Sequence, residues 1–191
     1  MNDITAILDA CVLYPAPLRD FFMHLAVSDT FRARWTEAIH DEWIRNLLKN
    51  RDDLQREQLE RTRELMNAHV RDCLVKNYEE LIEKVELPDA DDRHVLAAAI
   101  HAEADAIVTF NLKDFPDEML APFGIEAVHP DAFIVTLIDE NAALVISAIE
   151  NQHKSLKNPP CSMAELLETL ENNGLHETVN RLRQLFGDSQ E

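Results

Sequence analysis

The densest group of chemically capable side chains in the sequence is formed by Asp89, Asp91 and Asp92, three carboxylates within four positions. They stand directly before an apolar run at 95–100 that is typical of a buried helix. Carboxylates are favoured at a helix N-terminus because the unpaired N–H groups and the helix dipole attract negative charge. Capping would use one or two of these acids, so at least one is left for another role.

Other polar side chains follow predicted strands and could join this group. Asp9 comes directly after the short apolar run Thr5–Leu8, and Asn111 and Asp114 follow the run at 105–110. Both runs have the pattern of strands buried in a parallel sheet. Functional groups collect beyond the carboxyl ends of such strands, so these side chains are candidates for one site.

Glu42 lies in a stretch, residues 36–49, that predicts an amphipathic helix. Arg45 and Lys49 follow Glu42 by three and seven residues, so they share its face of the helix. An ion-pair ladder on a solvated surface explains these two cations as well as a role in binding a polyanion does. Both interpretations stay open.

Carboxylates that converge on one place repel one another, and their pKa values rise unless a cation lies between them. Oxygen-only ligands suit the hard ions Mg²⁺ and Mn²⁺, which also bridge phosphate groups. Such ions activate water and stabilise an in-line displacement at phosphorus. The acids therefore predict metal-assisted hydrolysis of a phosphate ester, provided that the fold brings them together.

The elements that must position these acids alternate between helices and strands, which predicts an α/β fold with a mostly parallel sheet. Besides the two strands above, strands are predicted at 31–36 and 124–128. Helices are predicted at 18–27, 36–49, 52–75 and 78–85, and a further one follows the acidic stretch and ends at about residue 103. Residues 119–123 are predicted to form a short helix or a turn.

Only helices are predicted from residue 131 onward, at 131–156, 164–172 and 175–186. The sequence Asn158-Pro-Pro160 predicts a linker, Ser162–Glu165 a capping box, and Asn173-Gly174 a helix end. We therefore expect two regions, residues 1–130 and an all-helical C-terminal extension at 131–191.

The 191-residue chain carries 36 acidic against 18 basic residues, a net charge of −18. This balance argues against membrane surfaces and against a loose, non-specific coat on nucleic acid. A nuclease is still compatible with this charge balance, but a polyanionic substrate would need a local basic strip or a neutralising cation.

The three cysteines, Cys11, Cys73 and Cys161, are far apart in the sequence and predict reduced thiols. With no signal-peptide pattern and no apolar run of membrane-spanning length, we expect a soluble, cytoplasmic protein.

Several of these motifs, taken in order, resemble a PIN domain. They are Asp9 after its strand, Glu42 in an amphipathic helix, the stretch from Asp91 to Ala99 (DDRHVLAAA) and the stretch from Ile107 to Phe115 (IVTFNLKDF). The resemblance covers about residues 4–130, and the helical tail is similar to the C-terminal extension of one VapC-like subgroup. It implies a PIN-like three-layer α/β/α fold and metal-dependent ribonuclease activity. Many PIN domains are VapC-type toxins of bacterial toxin–antitoxin pairs.

The resemblance assigns the catalytic and metal-binding positions to Asp9, Glu42, Asp92 and Asp114. Asp89 or Asp91 could replace or supplement Asp92. Asn111 occupies the usual fourth slot after the strand, and Asp114 could supply the charge there. The candidates for contacting RNA are Thr109, Asn111, Arg45 and Lys49. The resemblance also implies Mg²⁺ or Mn²⁺ as the cofactor, an RNA substrate, a cognate antitoxin protein and a homodimer.

Two other functions compete with a nuclease. A haloacid-dehalogenase-like phosphatase also begins with a strand and an Asp, but it needs a second acid two residues on, where this chain has Cys11. A PIN-like module that binds RNA or a partner without cutting predicts a gap in the acidic set. We expect His94 to pack or form hydrogen bonds, Cys11 to be a small buried apolar residue, and Trp35 and Trp43 to lie in the core.

Overall fold

Four parallel strands in the order β2-β1-β3-β4 form the centre of the structure, a computed structural model that describes residues 4–157 and 159–188. The strands are β1 (Thr5–Leu8), β2 (Arg32–Arg34), β3 (Ala106–Val108) and β4 (Glu126–Val128). Ile7 of β1 pairs with Arg34 on one side and with Ile107 on the other. β1 and β3 are buried along their whole length, as their apolar sequences predict. The predicted parallel sheet is confirmed.

Helices on the two faces of the sheet complete the three-layer α/β/α arrangement that was predicted. They are α1 (Ala10–Leu13), α2 (Ala16–Val27), α3 (Glu37–Asn50), α4 (Arg56–His69), α5 (Glu79–Ile82), α6 (Arg93–His101) and α7 (Asp117–Leu120). Short 3₁₀ turns lie at Ala90–Asp92, Leu112–Asp114 and Ala121–Phe123. α6 packs against β1 and β3, and its five residues from Val95 to Ala99 are fully buried. The uniformly apolar run from Val95 to Ala99 follows from this central position.

Helix α4 is shorter than the helix predicted at 52–75. It begins after Gln55, whose amide donates to Gln58 Oε1 at 3.1 Å, and it ends at His69. The segment that follows pairs with Trp35 instead, whose amide donates to the Cys73 carbonyl and whose carbonyl accepts from the Val75 amide. The prediction was wrong at this end because pairing with a distant residue overrides helical periodicity.

The C-terminal extension consists of α8 (Pro130–Ser155), α9 (Met163–Asn172) and α10 (His176–Asp188). Asn158 of the predicted linker lies outside the described residues. The single helix predicted at 131–156 is interrupted at Asn141, whose backbone is not helical (φ −155°, ψ 80°). Its Oδ1 accepts from the Leu144 amide at 3.3 Å, so Asn141 caps a second helical segment.

Aromatic side chains join the extension to the rest of the fold. Phe133 of α8 stacks on Phe22 of α2, with ring centroids 6.3 Å apart, and meets Phe31 edge-on at 5.0 Å. By length and composition alone α8 could cross a membrane, contrary to the expectation that no run is long enough. Core helices of soluble proteins meet the same criterion when they are mostly buried, whereas 39% of the apolar window of α8 is buried. The packing of Phe133, Ile134 and Leu137 into the core accounts for part of the apolar sequence.

Candidate active site

Asp9 lies at the carboxyl end of β1 and is only 3% exposed. Its Oδ1 accepts from the Ala10 amide at 2.6 Å and so caps α1, a one-turn helix that the sequence did not predict. Its Oδ2 accepts from the Thr109 hydroxyl at 2.7 Å and from the Cys11 thiol at 3.1 Å. Burial raises the pKa of Asp9, hydrogen bonds from Thr109 and Cys11 oppose that rise, and the charge on Glu42 adds to it. Three donors therefore hold this carboxylate in one orientation.

The Thr109 side chain donates a hydrogen bond to Asp9 and does not face solvent. Its side chain is fully buried, and its Oγ1 also accepts from the Asn111 amide at 3.0 Å. In this structure the Thr109 hydroxyl orients the Asp9 carboxylate. The contact with RNA that the sequence predicted for Thr109 stays a prediction.

Cys11 was predicted to be a small buried apolar residue. It is instead half-buried, and its thiol forms hydrogen bonds with polar groups. Its Sγ accepts from the Phe110 amide at 3.3 Å and lies 3.4 Å from Thr109 Oγ1. Burial, and then the neighbouring Asp9 carboxylate, raises the pKa of Cys11 to about 12, so the group stays a thiol that donates to Asp9. The two-residue spacing from Asp9 would have indicated this contact only if α1 had been predicted.

The three aspartates before α6 differ in what they contact. Asp89 is exposed, and its Oδ1 accepts from the Asp91 amide at 2.9 Å, which caps the 3₁₀ turn. Asp91 is exposed as well. Asp92 is half-buried and its side chain makes no capping hydrogen bond to α6. Capping therefore explains Asp89 and leaves the Asp92 carboxylate for another role.

Acids from distant parts of the sequence surround Asp92. Burial, and after it the charges of Asp9, Asp89, Asp114 and Glu42, raise the pKa of Asp92 to about 7. Coulomb repulsion weakens with distance, so these carboxylates lie near enough to Asp92 to disfavour its ionised form. The charges of these acids therefore act on one carboxylate, and their assembly into one metal site stays a prediction.

The segment after β3 contributes two side chains of different exposure. Asp114 is half-buried in the 3₁₀ turn, and its charge acts on Asp92. Asn111 is exposed. Of these two candidates for the fourth position, Asp114 is therefore the one whose carboxylate lies in the acidic group.

Glu42 is half-buried on α3, and its Oε2 lies 3.6 Å from His94 Nε2 at the start of α6. Within the described residues His94 Nδ1 is buried without a hydrogen-bond partner. Arg45 and Lys49 are exposed, and the described structure gives neither of them an ion pair with Glu42. The ladder that was one explanation of these two cations is therefore absent from the described part of the chain.

The donors in this group suit a hard divalent cation. All of the converging ligand candidates are carboxylates, and their repulsion at Asp92 is what an ion between them would relieve. Among residues 4–157 and 159–188, no three His, Cys, Asp or Glu side chains stand close enough to hold an ion in their present positions. The chemistry of the site fits Mg²⁺ or Mn²⁺, and binding would require the carboxylates to move closer together.

Comparisons with known proteins bear on both regions of the chain. Residues 5–113 match the family described as "PIN domain", and residues 130–184 match the one described as "VapC50 C-terminal domain". A Mycobacterium tuberculosis protein named "Putative ribonuclease VapC50" is 42% identical over 79 residues, which cover 41% of this chain and 47% of that protein. The aligned part thus spans about half the length of that relative. No solved structure matches the chain.

Proposed function

Because this chain belongs to the PIN-domain family, we propose that it is a Mg²⁺- or Mn²⁺-dependent endoribonuclease that cleaves RNA phosphodiester bonds by water attack. The observation that carries the proposal is the environment of Asp92, whose pKa is raised to about 7 by burial and then by the charges of the distant acids Asp9, Asp89, Asp114 and Glu42. The name of the Mycobacterium tuberculosis relative supports RNA as the substrate class.

When bound, a divalent cation would neutralise charge on the scissile phosphate and lower the pKa of the attacking water. Its ligands, direct or through water, would be Asp9, Glu42, Asp92 and Asp114. Asp9 is the ligand whose position is already fixed, because Thr109 and Cys11 donate to the same carboxylate oxygen. A carboxylate held by buried donors loses little conformational freedom on binding an ion.

The net charge of −18 requires local cations to guide RNA to an acidic site. Arg45 and Lys49 are exposed on α3, the helix that also carries Glu42. Phosphates that contact this helix would therefore be led toward the acids. Asn111, exposed directly after the Thr109 segment, is the further candidate for a hydrogen bond to RNA.

We also propose the biological setting that the family resemblance implies. The chain would be the toxin of a toxin–antitoxin pair, cytoplasmic, and held inactive by a cognate antitoxin protein that covers the site. It would form a homodimer. Residues 1–130 would act as the nuclease domain, and residues 131–191 as a helical extension, for which the match to the "VapC50 C-terminal domain" is the support.

The nuclease is tested with purified protein that is free of antitoxin. It should cleave RNA in the presence of Mg²⁺ or Mn²⁺ and stop when EDTA is added. Asp9→Ala and Asp92→Ala should each abolish cleavage, whereas Asp91→Ala should keep it because that exposed carboxylate lies outside the group around Asp92. Cleavage that survives Asp9→Ala and Asp92→Ala together would exclude this mechanism. RNA binding without cleavage under every condition would support the non-catalytic module instead.

The toxin role needs a separate experiment in cells. Expression of the wild-type chain should arrest growth, and co-expression of the product of the neighbouring gene should restore it. The Asp92→Ala variant should not arrest growth. Normal growth with an active nuclease would contradict the toxin role and leave the enzymatic proposal in place.

A further inference from the structure

We propose that the turn between α9 and α10, formed by Asn173 and Gly174, is a positioning element for the nuclease site and acts through Phe110. This inference rests on the proposed function and assigns a role to the C-terminal extension. The turn would keep the segment that follows β3 in the conformation that orients Asp9.

Gly174 allows an unusually close approach between the extension and Phe110. Its φ is +93°, a conformation that other residues rarely adopt, and a Cβ there would lie 3.1 Å from Phe110 Cε1 and 3.7 Å from Cζ. A helix end explains the positive φ but not the proximity of an aromatic ring. Gly124 has a φ of +70° and no atom within 4 Å of such a Cβ. The contact with Phe110 is thus a specific property of Gly174.

A second residue, His129, also contacts the Phe110 ring. The His129 ring meets the Phe110 ring edge-on, with centroids 5.0 Å apart and an interplanar angle of 82°. His129 directly follows β4, and its Nδ1 accepts from the Asp131 amide at 3.2 Å in the first turn of α8. Phe110 therefore contacts both the residue that precedes α8 and the turn between α9 and α10.

The backbone of Phe110 connects this contact to the catalytic acids. Its amide donates to Cys11 Sγ at 3.3 Å, and the adjacent Thr109 hydroxyl donates to Asp9 Oδ2 at 2.7 Å. The Asn111 amide donates to Thr109 Oγ1 at 3.0 Å. A shift of the Phe110 peptide would thus change the donors that orient the Asp9 carboxylate.

The turn itself is anchored independently of Phe110. The Asp131 carboxylate accepts from the Glu177 and Thr178 amides at 2.9 and 2.8 Å, which ties the first turn of α10 to the first turn of α8. The Leu175 amide donates to the Leu170 carbonyl at 3.2 Å, and the Leu175 side chain is fully buried. A side chain added at Gly174 would therefore displace Phe110 more readily than the turn.

The test compares full-length Gly174→Ala with wild type by amide hydrogen exchange and by RNA cleavage. We expect the Phe110 and Asn111 amides to exchange about tenfold faster in the variant, because their hydrogen bonds to Cys11 and Thr109 are loosened. We expect kcat to fall about tenfold with KM nearly unchanged, because the reacting groups are misplaced while RNA binding is kept. Gly174→Asn provides a second variant that tolerates the positive φ and still carries a Cβ.

Two controls separate the Phe110 contact from general strain. Gly124→Ala introduces a side chain at a positive φ with no neighbour, so exchange at Phe110 and Asn111 should stay at the wild-type rate. In a Phe110→Leu background, which lacks the ring atoms nearest the new Cβ, Gly174→Ala should cause no further change in exchange.

The two readouts decide different questions. Equal exchange in Gly124→Ala and Gly174→Ala, or an undiminished Gly174→Ala effect in the Phe110→Leu background, would overturn the positioning role. An exchange effect with kcat unchanged would overturn it too, because the Asp9 segment would then not govern the reaction. Absence of RNA cleavage by the wild-type chain would instead refute the proposed function, and hydrogen exchange would still report whether the turn holds the Phe110 segment.

Discussion

Replacing Asp92 by Asn should make the metal-free protein more stable, although it removes a proposed catalytic residue. The pKa of Asp92 is about 7 in the folded chain, against an ordinary value of 3.8, so the folded state binds its proton more tightly than the unfolded state does. The favourable contribution of Asp92 to the free energy of unfolding is therefore greatest at low pH and is lost as the pH rises from about 4 to about 7. Asn has the shape of the protonated acid and no charge, so the variant avoids that loss.

The size of the gain follows from the shift and from the exposure of the side chain. One pKa unit corresponds to about 1.4 kcal/mol, so the rise from 3.8 to about 7 sets an upper bound of about 4 kcal/mol. Asp92 is only partly buried, and solvent screens the repulsion from its neighbours. We therefore expect a gain of about 1 to 2 kcal/mol in the free energy of unfolding at pH 8.

Urea unfolding at several pH values in EDTA measures this gain. Asp91→Asn is the matched control, because it removes an exposed negative charge from the same stretch. It therefore measures how much stability is gained simply by lowering the overall repulsion in a chain with a net charge of −18. The advantage of Asp92→Asn over the control should shrink as the pH falls toward 4. Added Mg²⁺ should stabilise wild type more than Asp92→Asn, since binding to the folded state raises stability. Equal stability of the two variants at pH 8, or a gain that does not depend on pH, would refute the reasoning.

Three further predictions concern the surroundings of the site. Thr109→Val should keep the fold and lower kcat about 10- to 100-fold in an RNA cleavage assay, because Asp9 loses a donor; unchanged kcat would contradict the orienting role. Asp131→Ala should lower the free energy of unfolding by about 1 to 2 kcal/mol in urea, since two amides at the start of α10 lose their acceptor. Arg45→Ala combined with Lys49→Ala should raise KM several-fold, weaken its dependence on salt and leave kcat nearly unchanged. An identical salt dependence would exclude phosphate contacts at these two positions.

The parts of the fold that could be predicted are those in which local sequence and burial agree. β1 and β3 are buried on both faces, so their sequences are apolar throughout. α6 is enclosed by the sheet and by other helices, and its run from Val95 to Ala99 shows this directly. The end of α4 and the break at Asn141 could not be predicted in the same way. The first depends on pairing with Trp35, and the second on a side chain that caps within a longer helical pattern.

The same distinction between local sequence and distant contacts applies to the candidate site. The candidate acids could be proposed because each stands at a strand end, a helix start or a helix face, positions that a parallel fold brings to one edge. The contacts that orient Asp9 could not be predicted. Thr109 is one hundred residues away from Asp9 in sequence, and the one-turn helix that carries Cys11 has no recognisable sequence pattern. Thr109 also shows why a polar residue after a strand is ambiguous. The sequence does not show whether such a residue is buried. It therefore does not distinguish a contact with RNA from a buried hydrogen bond to a carboxylate.

The two central acids of the site differ in a way that bears on how it would assemble. Asp9 is almost fully buried, and three donors satisfy its oxygens, so its position is set by the fold. Asp92 is half-buried, has no capping hydrogen bond, and is repelled by the acids around it. No three potential ligands among the described residues stand close together, and repulsion between carboxylates favours such a separation. We therefore expect Asp9 to be the fixed ligand of the proposed site, and Asp92, Glu42 and Asp114 to move inward when a bound cation neutralises their charge.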